Sequence, residues 1–122
     1  MLINRGLIQD DLEMRERQLV EAFAHGYADK DHFDNLVDMR NVLTIAAAEK
    51  DDVPILKLCE AMSIPLQAIR ERHSRTGKMG ATGDELRMMR EFVGIYGDWW
   101  IRKPVALYEL ACDALQRVFK HG

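Results

Sequence analysis

A chain of 122 residues, 48% hydrophobic and 30% charged, fits one domain that buries roughly 65% of its unfolded surface, a composition that is globular rather than disordered. No run approaches the ~20 apolar residues of a membrane span. The net charge is −3, but it is uneven: thirteen acids face seven bases in residues 1–60, and seven face ten in residues 61–122. That asymmetry suits either halves that attract one another or a basic face that meets an anionic partner.

The N-terminus, residues 1–8, has no charged leader ahead of a long apolar stretch, so no secretory signal is expected and the chain is expected to be cytoplasmic. Leu12, Leu19, Val20 and Phe23 fall near a helical period, with Asp10 or Asp11 as a cap, a Glu13–Arg17 pair in support and Gly26 as a stop. This predicts a helix near 11–25. The acids at Asp29 and Asp31 suit the positive end of a second helix, with Phe33, Leu36, Val37, Val42 or Leu43 and Ala46 or Ala47 facing inward as far as about Lys50. The same acidic run lacks the glycine and terminal glutamate of a calcium loop.

Asp51-Asp52-Val53-Pro54 combines a cap with a first-turn proline and predicts a short helix carrying Ile55, Leu58, Cys59 and Met62. Ser63-Ile64-Pro65 repeats the signal, so a further helix is expected through Leu66 and Ile69 to about His73. Cys59 and Cys112 lack C-x-x-C spacing and read as buried free thiols. Thr82-Gly83-Asp84-Glu85 forms a capping box, which opens a helix with Leu86, Met89, Val93 and Tyr96 on one face. Gly94 and Gly97 are expected to mark a close helix crossing, because glycine inside a helix is otherwise unfavourable.

Pro104 ends that helix region and opens the last one, which runs to Phe119 or Lys120. Val105, Tyr108, Cys112, Leu115 and Phe119 form one apolar stripe of the last helix, and Leu107, Leu110, Ala111, Ala114 and Val118 a second. Such a helix is expected to be central in the bundle or shared in a homodimer. No strand-like alternation occurs. The fold class is therefore all-α, a compact bundle of five to six helices in a single domain, 1–122.

The segment from Arg70 to Pro104 departs most from what a helical core needs. Gly77-Lys78-Met79-Gly80 matches the G-x-x-G loop of a KH domain, but that fold also needs a sheet, and no Ser or Thr follows Lys78 as a P-loop requires. Arg70, Arg72, Arg75, Lys78, Arg87 and Arg90 can together form a positive patch. Trp99 and Trp100 diverge by about 100° on a helix, so one is expected inside and the other partly exposed beside Arg102 and Lys103, where tryptophan and arginine suit a binding hot spot. The alternative is that both seal the end of the bundle. The histidines show no ligand spacing and no acid–base constellation emerges, so no catalytic residue, cofactor or metal is expected.

Arg75-Thr76-Gly77-Lys78-Met79-Gly80-Ala81-Thr82-Gly83-Asp84-Glu85-Leu86-Arg87 and Tyr96-Gly97-Asp98-Trp99-Trp100 resemble a pattern in small helical proteins of proteobacterial phages, plasmids and integrated elements. The resemblance implies an origin in a mobile element and action by binding host machinery. The expected function is a non-enzymatic protein–protein interaction module, a regulator or inhibitor that meets an acidic surface of a host protein through Arg72, Arg75, Lys78, Arg87, Arg90, Trp100 and Arg102. The alternative is a nucleic-acid-binding transcriptional regulator using the same basic loop.

Overall fold

A computed structural model describes residues 18–121, and these residues form an all-α bundle of five helices. Helix α1 covers 18–24 of the described chain, followed by α2 Lys30–Glu49, α3 Val53–Thr76, α4 Gly83–Ile101 and α5 Val105–His121. Helix α2 packs against both α3 and α5, and α4 packs against α3. Leu19 and Phe23 of α1, Leu36 and Leu43 of α2, Met62 and Ile69 of α3, Phe92 and Tyr96 of α4, and Leu107 and Ala111 of α5 join in one core. The part of the first helix predicted at 11–17, with its Glu13–Arg17 pair, lies outside the described residues.

The helix ends follow from local chemistry. Gly26 adopts a left-handed φ of 77°, and the Tyr27 amide donates to the Ala22 carbonyl at 3.0 Å, which closes α1 with a Schellman turn. Helix α2 opens on Asp29, whose carboxylate accepts the His32 amide while the His32 ring accepts the Asp29 amide. It closes with Asp51 at φ 52°, where a residue other than glycine tolerates the left-handed region because a short polar side chain limits the penalty. The next residue, Asp52, caps α3 through the Ile55 amide at 3.3 Å, so α2 and α3 reverse direction within a few residues. Gly77 ends α3 in the left-handed region and donates to the His73 carbonyl at 2.8 Å.

One expected boundary is absent. Residues 53–76 form a single helix that runs through Pro65, whereas the Ser63-Ile64-Pro65 signal predicts a new start. A proline inside a helix costs about 3 kcal/mol because it lacks an amide donor and crowds the preceding turn. Here Pro65 is buried with Met62, Leu66 and Ile69, and Arg40 Nε of α2 donates to the Cys59 carbonyl at 3.0 Å in the turn before it. Burial and this tertiary contact hold the helix through the proline. The inward face of α2 also gains Met39, which the periodic reading omits, while Val37 is only half-buried.

A second expectation fails at Gly94. A methyl group added there would meet no atom within 4 Å, so the residue faces open space and marks no close helix crossing. In α5, Leu107 and Ala111 are buried while Leu110 and Val118 are 45% and 65% exposed, so the second apolar stripe divides between core and surface. The Phe119 side chain lies outside the described ones. Cys59 is a buried free thiol whose pKa is raised by burial, and Cys112 is only half-buried.

The two kinds of glycine make opposite predictions. Gly94→Ala should stabilise the protein by about 1 kcal/mol, since helix propensity improves and nothing clashes. Gly77→Ala should cost about 1 kcal/mol, since alanine resists the left-handed conformation. Urea unfolding of the two variants checks both signs.

Candidate interaction surface

Six residues, 77–82, connect α3 to α4. The Thr82 hydroxyl accepts the Glu85 amide at 3.2 Å, and the Glu85 carboxylate accepts the Thr82 amide at 2.9 Å, as the capping box predicts. That carboxylate has a second role. Arg72, from the last turns of α3, donates to both Glu85 oxygens at 3.0 and 2.9 Å, and its Nη1 also donates to the Gly80 carbonyl at 2.8 Å. One guanidinium therefore ties α3, the loop and α4 together.

The pair is partly screened from water, with side-chain exposures of 29% for Arg72 and 12% for Glu85. The Arg72 hydrogen bonds pull the Glu85 pKa below its ordinary value, the Thr82 amide adding to the effect, and Glu85 raises the Arg72 pKa in return. Bidentate, charge-assisted geometry of this kind is stronger than a surface ion pair. At the last residue of α3 the Thr76 hydroxyl donates to the Arg72 carbonyl at 2.7 Å and accepts the Lys78 amide at 3.2 Å, which further defines the path of the loop. The glycine-containing connection is held at both ends and in its middle.

Arg75, Lys78, Arg87 and Arg90 are exposed around this connection. Arg87 reaches Asp84 at 3.6 Å, but both side chains are more than 80% exposed, so the contact is weak and leaves the cation available. On α4, Arg87 and Arg90 are three residues apart and share a face. Arg70 is drawn elsewhere: its guanidinium lies 5.5 Å from the centre of the Phe33 ring on α2.

Three residues of the expected surface require correction. Arg72 is not a free cation, because Glu85 and the Gly80 carbonyl accept three of its hydrogen bonds and Glu85 answers its charge. Arg102 is exposed but follows the far end of α4, and a helix of 19 residues spans ~28 Å, so it does not adjoin the loop. Trp100 is 7% exposed and is part of the core. Both tryptophans seal the bundle end, which the alternative reading of the sequence contains.

Their divergence on the helix is accommodated by different neighbours. Trp99 turns toward the start of α3, where its indole Nε1 donates to the Asp52 carboxylate at 2.8 Å, and the Lys103 ammonium stands 4.5 Å from its ring centre. Trp100 turns toward α5 and meets Tyr108 edge to face at a centroid distance of 5.0 Å, with Tyr96 at 6.1 Å. The two indoles are themselves edge to face at 4.9 Å. The Trp100 Nε1–H has no acceptor among the described residues, and the structure offers no physical account of that cost.

Among the described residues there is no strand to complete a KH domain, and no group of three or more His, Cys, Asp or Glu side chains that can hold a metal ion. No described helix is long and apolar enough to cross a membrane.

Arg72→Ala and Glu85→Gln should each destabilise the fold by about 1–3 kcal/mol, the cost of leaving a partly buried charge-assisted pair broken. Because the folded Glu85 pKa is depressed, its contribution is fully present above the ordinary value of 4.5 and is lost as pH falls through the lower folded value. The stability gap between the wild type and Glu85→Gln should therefore narrow below pH 4.5 in denaturant titrations, and a gap constant down to the acid transition would contradict the pairing.

Comparison of the chain with known protein families, with curated proteins and with solved structures finds no match.

Proposed function

We propose that this protein is a non-enzymatic interaction module that regulates or inhibits host machinery by docking the α3–α4 turn on an acidic protein surface. The observation that carries the reading is the Arg72–Glu85 clamp at 2.9 Å, which organises the turn without using its other cations. A preformed turn loses less conformational freedom on binding than a flexible one. Arg75 and Lys78 on the turn, with Arg87 and Arg90 on the adjoining face of α4, supply the recognition charges. Arg72 is a positioning residue.

Phosphate recognition would draw on the same residues, but Glu85 works against it. Its carboxylate occupies the α4 N-terminus and pairs with the best-placed guanidinium, so both the helix dipole and Arg72 are already answered by a negative charge. The nucleic-acid reading thus rests on four exposed side chains alone. The resemblance of the turn and of Tyr96-Gly97-Asp98-Trp99-Trp100 to small proteins of phages and plasmids supports a mobile-element setting for the module.

Affinity capture from a host lysate, with nuclease added to half the sample, tests the reading. The expected result is an acidic partner that survives nuclease and is lost when Arg75 and Lys78 are both changed to glutamate, with melting temperature unchanged. Capture that disappears with nuclease would assign the turn to nucleic acid instead. Its log affinity would then fall linearly and steeply with log salt.

Self-association through α5 has its own support, since Leu110 and Val118 lie two helical turns apart on one side and are exposed. Sedimentation of the wild type should show a dimer that Leu110→Lys dissociates; a wild-type monomer at all concentrations would end this part of the reading.

A further inference from the structure

A cleft of about 580 Å³ lies among α1, α2, α4 and α5. It is within the roughly 300–1,000 Å³ range of small-molecule sites. Leu19, Val42 and Leu115 are among its apolar lining residues, with the half-buried Tyr108 on the α5 side. The one acid in its lining is Asp38, next to which Asn35 supplies a side-chain amide.

Asp38 is in an unusual electrostatic position. It is half-buried, yet it forms no ion pair or hydrogen bond among the described residues, and no Lys or Arg is among those lining the cleft. Its neighbour on the preceding turn is another acid, Asp34, which is itself paired with Lys30 at 3.6 Å. Partial burial, with the Asp34 charge adding to it, raises the Asp38 pKa. His32 is directed to Asp29, whose amide its Nδ1 accepts at 3.0 Å. Among the described residues the carboxylate has lost water without gaining a positive neighbour, which is costly unless a cation supplies one.

What can supply it follows from the rest of the lining. A divalent metal needs several anionic or imidazole ligands, and no described group of three provides them. A monovalent organic cation needs one carboxylate, a carbonyl acceptor, an apolar wall and an aromatic ring, and the lining includes Asp38, Asn35, Leu115 and Tyr108. We propose that the cleft is a binding site for a small organic ammonium ion, with Asp38 as counter-ion, the Asn35 carbonyl accepting a second ammonium proton, and the ligand's apolar body lying against Tyr108 and Leu115. This site is independent of the cationic turn.

Titration of the full chain with phenethylammonium, followed by amide chemical shifts in ¹⁵N-labelled protein, tests it, with 2-phenylethanol as the neutral counterpart and an acetyl-capped lysine peptide as a third probe. Saturable shifts are expected in residues 35–42 and 108–115 with phenethylammonium and none with 2-phenylethanol. Asp38→Asn should weaken binding about tenfold or more, as removal of a desolvated charge partner does. That variant keeps the side-chain shape and removes an unpaired charge, so its melting temperature should be no lower than that of the wild type. Asp34→Asn, at an exposed position, should change the affinity by less than about twofold. Equal binding of the alcohol, unchanged binding by Asp38→Asn, shifts with the lysine peptide alone, or no saturable shift at all would overturn the assignment.

Discussion

The arrangement of α3 and α4 depends on two side-chain contacts at opposite ends of the pair. At one end Arg72 of α3 clamps Glu85 of α4; at the other the Trp99 indole of α4 donates to Asp52, the residue that caps α3. In each case the acid already holds a helix terminus: Glu85 accepts the Thr82 amide, and Asp52 accepts the Ile55 amide. The chain thus uses one carboxylate for both a local and a tertiary task, twice. Because α4 approaches α2 and α5 less extensively than α3 does α2, these two links carry much of the responsibility for its register. Charge-assisted hydrogen bonds suit that purpose, since they are directional where apolar packing is not.

That economy decides how charge is distributed over the surface. The excess of acids before residue 60 and of bases after it invites a picture of two halves attracting one another. The ion pairs of the described residues do not follow it. Lys30 with Asp34 and Asp84 with Arg87 are local helix pairs, the Glu21–His25 and Asp29–His32 contacts are local too, and the remaining pair, Arg72 with Glu85, joins two residues of the same half. Among the described residues, Asp38 in its cleft and Arg75, Lys78 and Arg90 around the turn have no ion-pair partner.

Much of the fold is legible in the sequence because helix boundaries are set within four residues of where they occur. Gly26, Asp29, Asp52, Gly77 and Thr82 with Glu85 all act as their residue types dictate. The failures share one cause, which is that a distant segment overrides a local rule. Pro65 fails to break its helix because its ring is buried and Arg40, from another helix, supports the turn before it. Trp99 and Trp100 are both buried because Asp52 and Tyr108, far away in sequence, receive them on two sides. Gly94 reads as a packing glycine on spacing alone, whereas whether a neighbour approaches is a tertiary fact.

The candidate surface was harder to read than the fold for a geometric reason. Residue type and sequence proximity grouped seven side chains, but a helix converts proximity into distance and phase. Arg87 and Arg90 remain together because their spacing keeps them on one face, while the 19 residues of α4 carry Trp100 and Arg102 ~28 Å from the turn. Arg72 fails for a different reason: it has the same charge as Arg75, but it lies on the side of α3 that faces Glu85. The capping box already placed Glu85 at the start of α4, and a carboxylate fixed there draws whichever guanidinium the preceding helix presents to it. A cation whose helical phase and position along the helix bring it to a capped helix start is thus committed to the fold, as Arg72 is.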